Sequence, residues 1–193
     1  MSRSARLPAL TAIALALTAP AARAESPTAA GLGDAVLRDA RGAPVQLAQL
    51  LGSHRFTVVV FYSGTCPCFA AHVDRLRRLV ADLEPQGVGF VLVDSERHGA
   101  AETPPPPPVA PALPLYRDEE GRLARRLGAL YATESFVLDA GGVVRYQGGI
   151  DGDRKYLRTD TPPYLRQALL GLIAGKAPAF ASSKALGCAL RLL

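Results

Sequence analysis

Residues 55–63 (RFTVVVFYS) and 88–94 (VGFVLVD) are almost unbroken apolar runs rich in β-branched side chains. A run of that kind marks a strand covered on both faces. Between them, Phe69, Val73, Leu76, Val80 and Leu83 recur at spacings of 4, 3, 4 and 3, which is one buried stripe of a helix over residues 67–84. Weaker signals surround this unit. Residues 34–39 read as a short strand reversed at Arg41-Gly42, and a short helix is expected through Leu123, Leu127 and Leu130. Residues 136–139 and 143–147, joined by Ala140-Gly141-Gly142, read as a β-hairpin. A last helix starts near Pro162-Pro163, turns Leu165, Leu169 and Leu172 inward, and ends at Gly175. This order predicts an α/β fold with a central mixed sheet flanked by helices. With 193 residues, 49% of them apolar and 20% charged, the chain suits one domain with a sizeable core and is not globally disordered.

The first two dozen residues read as an address. Arg3 and Arg6 precede a short apolar stretch, and Ala22-Arg23-Ala24 supplies small residues at both key positions of a cleavage site. That is the layout of a signal peptide over residues 1–24, with a place in the periplasm or outside the cell expected after cleavage near Ala24. The stretch is too short for a comfortable membrane span, so no stable span is expected. Removing Arg3, Arg6 and Arg23 with no acid lowers the formal charge from +5 to +2. The remaining arginines, in 75–78 and 122–126, alternate with leucine at helical spacing and read as solvated helix faces, so no nucleic-acid partner is expected. Residues 25–33 read as a linker, 34–175 as the domain and 176–193 as a tail. The proline-rich stretch 104–114 reads as a stiff surface loop, with a docking site for a proline-binding partner as the alternative.

The chemistry concentrates in Ser63-Gly64-Thr65-Cys66-Pro67-Cys68, where the first apolar strand gives way to the amphipathic helix. Cys66 falls at the predicted N-cap and Pro67 at the first helical position. Unpaired N–H groups and the helix dipole favour an anion there, so the Cys66 thiol is expected to ionise readily. On a wheel of 100° per residue starting at Cys68, His72 lies at about 40° and Arg75 at about −20°. These three form a polar edge beside the apolar stripe, where a protonated His72 and Arg75 would favour the thiolate further. The plain alternative is a cysteine buried as a small hydrophobe.

The stretches Leu37-Arg38-Asp39-Ala40-Arg41-Gly42, Val45-Gln46-Leu47, Cys66-Pro67-Cys68 and 134–142 (ESFVLDAGG) together resemble a thioredoxin-fold redoxin domain over about residues 34–175. That superfamily includes the alkyl-hydroperoxide-reductase/thiol-specific-antioxidant proteins and the periplasmic thiol–disulfide reductases. The resemblance implies a thioredoxin-like sheet of four or five strands with Cys66 as the attacking thiol. Three departures stand out. Only Pro67 separates the cysteines, Thr133 stands where thioredoxins usually hold a cis-proline, and Val59 stands where peroxiredoxins carry an upstream proline, although Ser63 matches their Thr or Ser three residues before the cysteine.

The resemblance therefore implies a thiol-dependent oxidoreductase that reduces peroxide or exchanges protein disulfides. Cys66 is its nucleophile, Ser63 and Thr65 lie near the sulfur, and Thr133 flanks the site. Cys68 or Cys188 would resolve the oxidised Cys66, a disulfide to Cys68, an intermolecular link or plain burial being the other fates of Cys188. An external thiol donor regenerates the enzyme, and no cofactor is called for. Two other classes compete. Sco copper chaperones share this fold and use two cysteines with a histidine, which makes Cys66, Cys68 and His72 an alternative copper set, with His98 as a further candidate and His54 a poor one. The third class is a catalytically silent interaction domain.

Overall fold

The computed structural model describes residues 32–98 and 113–192; the expected signal peptide, most of the linker and prolines 104–108 and 111 lie outside the described residues. The backbone forms one seven-stranded mixed sheet. Its strands in chain order are β1 (Val36–Arg38), β2 (Pro44–Gln46), β3 (Phe56–Tyr62), β4 (Val88–Asp94), β5 (Leu115–Arg117), β6 (Ser135–Asp139) and β7 (Val144–Gly148). Across the sheet they run β2-β1-β5-β4-β3-β6-β7. The fold class is the expected one, but seven strands replace the expected four or five. The additional strands are short: β2 and β5 have three residues each, too few for an alternating pattern to stand out.

β3 sits where its sequence demands. It pairs in parallel with β4 from Phe56↔Val88 to Tyr62↔Asp94 and antiparallel with β6 from Phe56↔Asp139 to Val60↔Ser135. All seven of its residues are buried, and alternate side chains enter two cores. Val58, Val60 and Tyr62 meet Phe69, Leu76 and Leu83 of helix α2 (Pro67–Leu83) and Leu165 and Leu169 of α4 (Tyr164–Ile173). Val59 and Phe61 meet Leu47 and Leu51 of α1 (Leu47–Gly52) and Leu123 and Leu127 of α3 (Arg122–Leu127). Each such buried side chain contributes about 1.5–3 kcal/mol relative to exposure. The expected stripe of α2 is buried in full. Leu130, expected on the short helix, lies beyond it and is 61% exposed, because α3 ends at Gly128 in the left-handed region. No helix among the described residues is long and apolar enough to cross a membrane.

Both ends of the domain reach further than the sequence suggested. Leu32, placed in the linker, is buried in the second core. The tail folds back over the molecule. Ser183 donates its N–H to the Gln147 carbonyl of β7, and Gln147 donates to that of Ala181. Further on, Ala132 N–H donates to Cys188 O at 2.8 Å, Leu190 N–H to Leu130 O at 2.9 Å, and Arg97 N–H to Arg191 O at 2.8 Å. The Glu134 carboxylate fixes the other side of this pairing by accepting the N–H groups of Leu130 and Tyr131.

The approach requires Gly187, which lies so close to the Ala132 backbone and the Thr133 hydroxyl that a β-carbon would overlap the Ala132 carbonyl oxygen. A Gly187→Ala variant is therefore expected to lose about 1–3 kcal/mol, the usual cost of overpacking, and to lift the tail from its seat. Thermal unfolding together with mass-spectrometric mapping of the cysteines checks this. An unchanged melting temperature with unchanged mapping would show that the tail has another fixing point.

Candidate active site

The turn after β3 is built from its own backbone. Cys66 N–H donates to the Ser63 carbonyl at 3.2 Å, which closes residues 63–66, and Ala70 N–H returns to Cys66 O at 3.1 Å as the first turn of α2. Cys66 is the N-cap, with extended backbone (φ −83°, ψ 111°), and Pro67 occupies the first turn. The first-turn N–H groups lack intrahelical acceptors, and the dipole of this 17-residue helix favours negative charge beside them. Cys66 and Cys68 are each 3% exposed, whereas Gly64, Thr65 and Pro67 are exposed.

The tail brings the third cysteine here. Cys66 and Cys188, 122 residues apart, form a disulfide with their Cα atoms 5.8 Å apart. Cys68 remains a buried free thiol, and the three sulfur atoms all lie within 4.8 Å of one another. Of the fates open for Cys188, the structure shows the intramolecular link to Cys66. Thr133 borders the same place. It is buried, its N–H donates to Phe61 O at 2.9 Å, and its φ of +74° lies in the left-handed region, where a β-branched residue is strained. Ser63 Oγ and Thr65 Oγ1 are 3.3 Å apart, so both expected hydroxyl residues are on the Cys66 turn.

Ser63 Oγ also donates to Glu96 Oε2 at 2.8 Å. Glu96 is 3% exposed and further contacts the Arg191 main chain and guanidinium. Its place was not read from the sequence. A signal existed, since Tyr62 and Asp94 are register partners at the ends of adjacent parallel strands, and residues just past those ends share one crevice.

His72 and Arg75 do not serve Cys66. His72 is 1% exposed; its Nδ1 donates to the Cys68 carbonyl at 2.7 Å, and its Nε2 faces Asp151 Oδ1 at 3.1 Å. Arg75 pairs with Asp151 and, at 3.0 Å, with Asp153. The expected polar edge is covered by the loop after β7, which carries both acids. His98 binds Asp94 at 2.8 Å, and neither it nor His54 joins the sulfur cluster.

Burial alone would raise the Asp151 carboxyl, but hydrogen bonds from His72 and Arg75 outweigh it and the net shift is downward. Asp153 behaves alike: burial pushes up, while the Arg158 N–H, Thr161 and Arg75 bring its pKa down to about 2 from 3.8. A carboxylate held so low stabilises the fold fully above its unfolded pKa and loses that contribution as pH falls towards its folded pKa. Stability is thus expected to drop between about pH 4 and about pH 2, with Asp153→Asn removing part of the drop. Urea unfolding across that window measures it, and a pH profile unaltered by the substitution would assign the drop to other groups.

A family model described as the AhpC/TSA family matches residues 29–147. No curated protein matches the sequence. Among solved structures, a hypothetical protein from Sinorhizobium meliloti 1021 is similar at TM-score 0.73 and 24% identity, over 84% of this chain and 92% of that one. An uncharacterized conserved protein from Geobacillus kaustophilus gives 0.72 at 22% identity, over 82% and 88%. Peroxiredoxin Q from Xanthomonas campestris gives 0.51 at 17% identity, over 76% and 92%. At these identities the likeness speaks for the thioredoxin-like fold.

Proposed function

The chain belongs to the AhpC/TSA family, and from that membership we propose that it is an exported, peroxiredoxin-like thiol oxidoreductase in which Cys66 attacks and Cys188 resolves. The observation that carries this reading is the disulfide between a helix N-cap cysteine and a cysteine delivered by the tail. In the reduced protein the Cys66 thiolate attacks the peroxide. An S–O bond forms, the O–O bond breaks, and the departing oxygen takes up a proton to leave as alcohol or water. Cys66 is then a sulfenic acid. The Cys188 sulfur attacks it, an S–S bond forms, and the hydroxyl leaves as water. Two equivalents of an external thiol return both cysteines to thiols and leave as a disulfide.

Two features favour a peroxide over a protein disulfide as the oxidant. The backbone of residues 130–132, beside the cysteines, is already paired with residues 188–190 of the tail, so an incoming strand finds no open edge there. A peroxide needs no such edge. The neighbour from Xanthomonas campestris is named a peroxiredoxin, and a second structure from that organism is described for its alkyl peroxide reduction activity. Export rests on residues 1–24 and their Ala22-Arg23-Ala24 site.

Reduced mature protein is expected to consume hydrogen peroxide or an alkyl hydroperoxide with a thiol donor present, and Cys66→Ser to bring the rate down to the uncatalysed background. Cys188→Ser is expected to consume the first equivalent and then hold Cys66 as a sulfenic acid that a dimedone adduct reveals. Undiminished turnover in Cys66→Ser would overturn the assignment of the nucleophile.

A further inference from the structure

The proposed cycle uses two of the three sulfurs and leaves Cys68 a buried thiol without a task. Yet Cys68 is held within 4.8 Å of both partners of the disulfide. The grouping does not depend on the S–S bond. Cys66 and Cys68 are fixed by the start of α2, and Cys188 is fixed by the main-chain bonds Ala132 N–H to Cys188 O, Leu190 N–H to Leu130 O and Arg97 N–H to Arg191 O. Reduction therefore leaves three thiols close together, Cys66 and Cys68 buried and Cys188 partly buried, beside first-turn helix N–H groups that favour thiolate charge.

We propose that the reduced protein binds one Cu(I) ion through Cys66, Cys68 and Cys188, and that the disulfide-bonded form does not hold it. Metal–thiolate bonds of about 2.3 Å, the length known for zinc, set three sulfurs about 4 Å apart around a central ion, within the span of this cluster. Thiolates select soft ions such as Cu(I). Zn(II) asks for a fourth ligand, and among the described residues no other Cys, His, Asp or Glu donor joins the group. His72, the histidine expected to complete a copper set, has both ring nitrogens engaged by Cys68 O and Asp151. Loading follows reduction of the disulfide by two external thiols, which leave as their own disulfide. Cu(I) then displaces thiol protons to solvent and keeps its oxidation state. The disulfide and the metal exclude each other because both claim the sulfurs of Cys66 and Cys188.

The test is an anaerobic titration with Cu(I) against the chromophoric chelator bicinchoninate, using mature protein reduced with a phosphine and desalted. The reduced protein is expected to withdraw one equivalent of Cu(I), with X-ray absorption showing three sulfur neighbours, and the oxidised protein to compete far more weakly. Cys68→Ser is expected to weaken binding by about 100-fold or more, the upper end of the cost of losing a mere outer partner. Its circular dichroism and its Cys66–Cys188 disulfide are read in parallel to show that it has folded. The proposal is overturned if the reduced protein leaves the chelator intact, if oxidised protein binds equally, or if folded Cys68→Ser binds as tightly as the parent. None of these readouts involves peroxide, so they stand apart from the oxidoreductase reading.

Discussion

Everything at the cysteine site hangs from β3. This strand has a partner on each edge and a helical layer on each face, so all of its residues are buried and its register is fixed by both cores at once. A one-residue slip would exchange Val58, Val60 and Tyr62 with Val59 and Phe61 and place each set against the wrong helices. Because β3 cannot slip, the turn at residues 63–66 and the start of α2 have one available position. Cys66 is placed by the main-chain geometry of the turn that this register positions.

The second constraint is the tail. Its pairing with residues 130–132 takes up an edge that flanks the cysteines and carries Cys188 to Cys66. This needs two special backbones, Gly187 for close approach and Thr133 at positive φ. In the chain-entropy picture, closing a loop of more than a hundred residues adds about 4–5 kcal/mol of stability to the oxidised state. The same bond thus joins redox state to the security of the tail, which main-chain pairing holds as well.

The polar residues of α2 show how a helical wheel misleads when a neighbouring loop is ignored. His72 and Arg75 do share an edge with Cys68, as the periodicity requires. What the wheel cannot show is the loop after β7, whose Asp151 and Asp153 take both side chains. A buried cluster of this kind costs desolvation, which only complete pairing offsets. Here the pairing is complete: no buried side-chain nitrogen or oxygen among the described residues lacks a partner. Arg75 and His72 are therefore positioning elements that anchor the loop to the helix.

The legible parts of this protein are those governed by contacts close in sequence. Apolar runs, the 4-3-4-3 stripe, the Ala140-Gly141-Gly142 turn and the proline after Cys66 act over a few residues, and they determined β3, α2, the hairpin and the N-cap cysteine. Three-residue strands such as β5 were not legible, since they exist only because a neighbour offers an edge. Tertiary structure alone decided the long-range pairings: Cys66 with Cys188 across 122 residues, His72 with Asp151 across 79 and Ser63 with Glu96 across 33. Periodicity carries information about the face a residue presents, and none about which distant segment folds against that face.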